Sequence, residues 1–181
     1  LSLRHDENAQ PLPVTIAGDA LKRNGTTVTM PLHLDIQRGE HVVVEGPNGA
    51  GKSTLLDALA GIDNHDSILR PGAVGLGSFG GTARVGQRPE AQVVGTTVEE
   101  DLRWGLDIPI DVSVTLADVG LVLPEDRPTS ELSGGELQRL ALASALRREP
   151  KLLLADEVTS MLDPAEQERI TNRLNALRNT A

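Results

Sequence analysis

The segment GPNGAGKST, Gly46–Thr54, is where the fold of this chain becomes legible. It holds three glycines, one proline and no large apolar side chain, and it carries one of only three lysines in 181 residues. HVVVE (41–45) precedes it, and KSTLLDALAG (52–61) continues from it. The upstream run is short and continuously apolar, the pattern of a strand buried on both faces. Downstream, Leu55, Leu56 and Leu59 fall on one helical face, and Gly61 is a natural stop. Strand, glycine-rich turn and helix, in that order, open a parallel α/β unit.

The spacing Gly46-x-x-x-x-Gly51-Lys52-Ser53 matches a phosphate-binding loop, the Walker A pattern. Glycines let backbone N–H groups turn inward around phosphates, where a Cβ would obstruct the approach. The helix that starts near Lys52 adds unpaired N–H donors and a positive dipole end. The expected nucleotide contacts are Gly46, Asn48, Gly49, Ala50, Gly51, Lys52, Ser53 and Thr54. Lys52 is expected to reach the β- and γ-phosphates, and the Ser53 hydroxyl to coordinate Mg²⁺.

A second buried strand, KLLLADE (151–157), ends in Asp156 and Glu157. Open α/β sheets bind ligands at that edge. Two acids closing an isolated strand would ordinarily be solvated. Beside a phosphate loop, Asp156 is a candidate Mg²⁺ ligand, and Glu157 is a candidate to polarise an attacking water.

Composition narrows the alternatives. The net charge is −9 and the only aromatic residues are Phe79 and Trp104. A nucleic-acid binder would need a concentrated basic face or aromatic stacking platforms, so no nucleic-acid partner is expected. The absence of cysteine excludes disulfides and thiolate metal sites. No apolar run approaches the 18 residues of a membrane span. Hydrophobic residues at 39% and charged residues at 24% suit one globular domain of this length.

Residues 1–13 are polar with two prolines and read as a linker or tail, leaving 14–181 as the domain. TTVTM and LHLDI (26–36) alternate like half-buried strands. ARVGQ (83–87) is a candidate short strand. Residues 95–105 read as a helix, in which Thr97 and Glu100 are placed to form a capping box. ELQRLALASALRR (136–148) places Leu137, Leu140, Ala141 and Ala145 on one helical face. Residues 163–178 read as a further helix, with Asp163 as N-cap, Pro164 in the first turn and Glu166 closing the box.

LSGGELQR (132–139) closely resembles the signature motif of ABC-type ATPases, the nucleotide-binding subunits of ABC transporters. VGQRPEAQ (85–92) resembles their Q-loop, and EVTSMLD (157–163) their D-loop. The motifs stand in the family's order and cover nearly all of 14–181. The resemblance implies an α/β P-loop NTPase of ABC type with a mostly parallel core sheet, an antiparallel β subdomain and a shortened helical subdomain at about 88–148. It implies binding and hydrolysis of ATP with Mg²⁺. It also implies head-to-tail pairing with a second ATPase domain, so that Ser133, Gly134, Gly135 and Glu136 act in trans on the other domain's ATP. Gln87 would contact Mg²⁺ or the attacking water, and its loop would meet a transmembrane subunit. The implied location is cytoplasmic, peripheral on the inner face of the cell membrane.

QRPEAQVVGTTVEEDLRWGL (87–106) looks like energy-coupling-factor ATPases, which drive uptake of vitamins, cobalt or nickel. In that comparison Gln92 is a further loop residue near the γ-phosphate or the partner. Four departures stand out. No aromatic residue precedes Phe79, so adenine would rest on aliphatic side chains. The helical segment between the Q-loop and LSGGE is short and is expected to lack one helix. Val158 replaces the usual Pro after the catalytic Glu. No switch histidine follows Glu157, which with the missing last strand reads as a C-terminally truncated domain. Three functions stay open: an importer ATPase, a soluble ABC ATPase without a transporter, and an ATP-binding but catalytically weak domain.

Overall fold

The computed structural model describes residues 2–4, 10–18, 20–23, 26–38, 40, 42–62, 68–69, 81–106, 109–156 and 172. The strands are β1 (Ser2–Arg4), β2 (Gln10–Ala17), β3 (Lys22–Arg23), β4 (Thr26–Thr27), β5 (His33–Arg38), β6 (Val43–Glu45), β7 (Ile68–Leu69), β8 (Thr82–Val85) and β9 (Leu152–Ala155). The helices are α1 (Lys52–Ala60), α2 (Val98–Arg103), α3 (Val112–Asp118) and α4 (Gly134–Leu146).

β2 lies between β5 and β7 in an antiparallel sheet, the expected antiparallel β unit. Its register with β5 shifts between Pro11 and Val14. Prolines at 11 and 13 cannot donate to a ladder, and a bulge accommodates them. The alternation read in LHLDI holds: Leu34 and Ile36 are buried while His33 and Asp35 are exposed. Residues 2–4 and 10–13, expected as linker, are built into β1 and β2.

The expectation of a doubly buried strand at 41–45 is corrected. β6 is three residues long, its Val43 is 40% exposed, and it pairs antiparallel with β1. A continuous apolar run does not by itself say how many faces are covered. Among the described residues the parallel pair is β8–β9, in the register Thr82↔Leu152 to Val85↔Ala155. The ladder continues where the Asp156 N–H donates to the Val85 carbonyl at 2.9 Å.

α1 ends as its sequence requires. Gly61 takes a left-handed φ of 73°, its N–H donates to the Ala58 carbonyl, and the Ile62 N–H donates to the Asp57 carbonyl, both at 3.0 Å. This pair of bonds is a Schellman closure, which glycine makes without steric cost. Leu55 and Leu59 pack with Val14, Ile16, Leu34, Leu152 and Leu154 in one core. A second core joins Val85, Val98, Leu102, Leu116, Leu140 and Leu142. It ties α2, α3 and α4 together, and each buried leucine contributes about 1.5–3 kcal/mol. Between Gln87 and Ser133 the described helices are α2, α3 and two single 3₁₀ turns.

Helix boundaries moved by a few residues. α4 starts at Gly134, two residues before the apolar period suggests, because Ser133 caps it. α2 covers only 98–103 of the expected 95–105. The capping box there is shifted by one residue. Thr97 Oγ1 accepts from the Glu100 N–H at 3.3 Å, but the Glu100 carboxylate accepts from the Thr96 N–H at 3.0 Å and from the Thr96 hydroxyl. The expected helix 163–178 and the D-loop lie outside the described residues, as do Glu157 and Phe79.

Candidate functional site

The phosphate loop joins β6 to α1. The first intrahelical bond of α1 runs from the Leu55 N–H to the Gly51 carbonyl at 2.9 Å. The N–H groups of Lys52, Ser53 and Thr54 therefore precede the helical ladder, free to serve an anion. Gly51 caps the helix with φ 89°, a left-handed conformation unfavourable for side chains. A Cβ there would also sit 2.9 Å from Thr29 Cγ2 and 3.4 Å from Val28 Cγ1. The Lys52 ammonium folds back over the loop, donating to the carbonyls of Gly46 at 2.8 Å and Pro47 at 3.1 Å.

Two clefts adjoin this loop. One, of about 300 Å³, is lined by Val28, Asn48, Gly49, Gly51, Lys52, Ser53, Thr54 and Gln87. Val28 supplies an aliphatic wall there. The other, of about 400 Å³, runs from Ser53 and Gln87 to Asp156 and is also lined by Asp57, Arg84 and Gln92. Ser53 and Gln87 border both. The three expected metal-side residues, Ser53, Gln87 and Asp156, therefore share one cleft. The Gln87 amide donates to Asp156 Oδ1 at 3.5 Å.

A hydroxyl, an amide and a carboxylate are hard oxygen donors, few in number, and suit a Mg²⁺ that keeps waters and takes further ligands from phosphates. Among the described residues no cluster of three or more His, Cys, Asp or Glu forms a cation cage. The site fits a metal brought in with a nucleotide.

Gln92 lines the cleft of Ser53, Gln87 and Asp156, and it also has a bracing role that the sequence does not show. Its amide is anchored on backbone: Oε1 accepts from the Gly86 N–H at 2.9 Å, and Nε2 donates to the Arg84 carbonyl at 3.0 Å. Gln138 of α4, fully buried, reaches the Gly86 carbonyl from the other side at 3.5 Å. The two glutamines brace the turn that carries Gln87. Sequence reasoning missed Gln138, which looked like one more polar helix position.

It also missed the ion pairs beneath the cleft. Arg84 pairs with Asp57 of α1 and, at 3.5 Å, with Asp156. Period-2 alternation puts Arg84 and Asp156 on one face of β8–β9, but only folding brings α1 over that face. Asp101 of α2 was read as a motif residue and is a buried hub. It accepts from the N–H groups of Val94 at 2.8 Å and Gly95 at 3.1 Å, and from the Ser144 hydroxyl of α4 at 2.7 Å. Burial draws the Arg148 guanidinium below its ordinary range, and nearby Asp101 opposes that shift.

Ser133 and Glu136 form the full capping box at the start of α4. The Ser133 N–H and hydroxyl both donate to Glu136 Oε2 at 2.8 Å, and Ser133 Oγ accepts from the Glu136 N–H at 3.3 Å. The Ser133 N–H, then the Ser133 hydroxyl, hold the Glu136 carboxyl below its usual range. Neither cleft is lined by Ser133, Gly134, Gly135 or Glu136. No helix among the described residues is long and apolar enough to cross a membrane.

Known proteins resemble this chain in sequence and fold. The family model described as ABC transporter matches residues 29–160. An uncharacterized ABC transporter ATP-binding protein of Mycobacterium tuberculosis is 46% identical over 172 residues, covering 92% of this chain and 25% of that protein. An energy-coupling factor transporter ATP-binding protein of Thermotoga maritima is 35% identical over 179 residues, covering 93% of this chain and 69% of that protein. Among solved structures, cbiO1 from Clostridium perfringens, part of the ABC transporter complex cbiONQ, superposes with a TM-score of 0.69. That match is at 24% identity over 94% of this chain and 75% of that one. This chain spans a quarter of the length of the Mycobacterium relative. With the family model spanning the phosphate loop, the Gln87 turn, the signature helix and Asp156, the chain belongs to the ABC transporter family and has the fold of its ATP-binding domains.

Proposed function

We propose that this domain binds and hydrolyses MgATP as one half of a paired ABC ATPase, and drives an importer of the energy-coupling-factor kind. The observation that carries this reading is the convergence of Ser53, Gln87 and Asp156 on one cleft that opens onto the phosphate loop. The likeness to an energy-coupling factor transporter ATP-binding protein over 93% of the chain supports the importer class.

In this reading the N–H groups of Gly51 to Thr54 bind the phosphates, and Lys52 exchanges its two backbone carbonyls for phosphate oxygens. Ser53, Gln87 and Asp156 would hold Mg²⁺, which when bound neutralises developing charge on the phosphates. Gln87 orients what enters between the two clefts. Glu157 follows Asp156 and takes the role of polarising the attacking water. Ser133 to Glu136 present a capped helix N-terminus to the nucleotide of a second ATPase domain. The transmembrane partner and a place on the inner membrane face follow from the same importer reading.

The test is copurification combined with turnover. The full-length protein should copurify with membrane subunits and show steady-state ATPase activity that requires Mg²⁺. Turnover with no membrane partner would favour a soluble ABC ATPase. Nucleotide binding without turnover would favour a catalytically weak domain.

A further inference from the structure

We propose that Arg84 is a built-in counter-cation for Asp156, one that Mg²⁺ must displace, so that this chain sets its own magnesium requirement. This rests on the reading of the cleft as a MgATP site.

The placement follows from two periodicities. In the parallel β8–β9 pair Arg84 lies opposite Leu154, and Asp156 lies two residues on, so the three side chains share one face. Leu154 packs in the same core as Leu55 and Leu59, so α1 covers that face. On α1, Ser53 and Asp57 are one turn apart. The fold thus sets Arg84 between Asp57 and Asp156, in the cleft that Ser53 and Gln87 also line.

Both oxygens of the Asp156 carboxylate are occupied by the protein's own donors. Oδ2 faces Arg84 Nη2 and Oδ1 faces Gln87 Nε2, each at 3.5 Å. The side chains of Arg84, Asp57 and Asp156 are 22%, 11% and 8% exposed, so their charges are only partly screened. Among the described residues Arg84 Nε is buried with no hydrogen-bond partner, and the guanidinium is held by its ion pairs to Asp57 and Asp156. A cation arriving at Asp156 repels Arg84, and Asp57, its closer partner, is where the guanidinium stays.

Two substitutions then act in opposite directions. Arg84→Met leaves two partly buried carboxylates facing one another without a counter-charge, a better site for a cation. Asp57→Asn removes the competing carboxylate and leaves Arg84 to Asp156, a poorer one.

The test is a Mg²⁺ titration of fluorescent ATP-analogue binding to the full-length protein, together with thermal shift by Mg²⁺ alone. Arg84→Met should lower the half-saturating Mg²⁺ by about fivefold to tenfold, the size of one partly screened charge contact. Mg²⁺ without nucleotide should stabilise this variant more than the wild type. Asp57→Asn should raise the Mg²⁺ requirement. Shifts in the same direction, or an unchanged requirement in Arg84→Met, overturn the counter-cation role while leaving the nucleotide site standing. If Arg84→Met does not fold, Asp57→Asn decides: an unchanged or lowered requirement overturns it. A wild type with no Mg²⁺-dependent nucleotide binding overturns the site reading and the counter-cation role together.

Discussion

Gln92 closes on Gly86 across the turn that carries Gln87, accepting its N–H at 2.9 Å while donating to the Arg84 carbonyl at 3.0 Å. The amide thereby ties the end of β8 to the loop that follows. Two bonds of this kind are worth about 1 kcal/mol each. Gln92→Ala should therefore lower kcat by about tenfold while nucleotide affinity changes little, since the phosphate loop is untouched. In a Gln87→Ala background the same substitution should cost almost nothing further. Additive losses in that double-mutant cycle would show that Gln92 does not act through Gln87.

Lys52 carries three donors, and in this structure its ammonium donates to the carbonyls of Gly46 and Pro47. Those contacts are exposed, and in the proposed reading they give way to phosphate. Lys52→Ala should abolish ATP binding in equilibrium titration, and retained micromolar affinity would argue against the phosphate-loop assignment. Gly51→Ala should do the same by another route, because its Cβ meets Thr29 and its φ disfavours a side chain.

Glu157 follows Asp156 in the sequence. If Glu157 polarises the attacking water as proposed, Glu157→Gln in the full-length protein should cut steady-state turnover by at least about 10²-fold while preserving ATP binding. Unchanged turnover would remove Glu157 as the base.

The loop before α2 depends on close packing. A Cβ on Gly95 would lie 2.2 Å from the backbone nitrogen of Asp101, which cannot move without unwinding the helix. Gly95→Ala and Asp101→Ala should both lower Tm. The second should do so by the loss of three bonds to a buried carboxylate, each about 1.5–3 kcal/mol before relaxation. A Tm within 1–2 °C of wild type, on the order of the usual surface substitution, would contradict this packing.

The signature helix should carry an acid-sensitive cap. The folded Glu136 carboxyl titrates below its unfolded value, chiefly because the Ser133 N–H donates to it. A depressed carboxyl pKa contributes stability that is present above the unfolded pKa. That stability is lost as pH falls through the folded one. Urea midpoints measured from neutral pH down through the carboxylate range should fall less steeply for Glu136→Gln than for wild type. Ser133→Ala should cost about 1 kcal/mol at neutral pH as a lost N-cap.

Much of this protein was written locally. The phosphate loop needs glycine at Gly51 and a helix that can start at Lys52, and both are short-range facts that a nine-residue segment states. The α1 stop at Gly61, the Ser133–Glu136 box and the alternation of Leu34 and Ile36 are equally local, because capping and period act within one turn or one strand. Pairing was not local. HVVVE carried enough apolar residues for a buried strand, yet Val43 stands exposed, because which strand faces are covered is decided by tertiary packing. Gln92 lines the cleft and also braces Gly86, a second role the sequence does not show because its acceptor, the Arg84 carbonyl, comes from β8. Arg84, Asp57 and Asp156 stand 27 and 72 residues apart in the chain, from 57 to 84 and from 84 to 156, and no spacing rule joins them. Sequence alone determined which residues could cradle a phosphate. Only the tertiary structure decided which charges share a cleft, because Coulomb interaction depends on distance in space and on burial, and neither is a property of a segment.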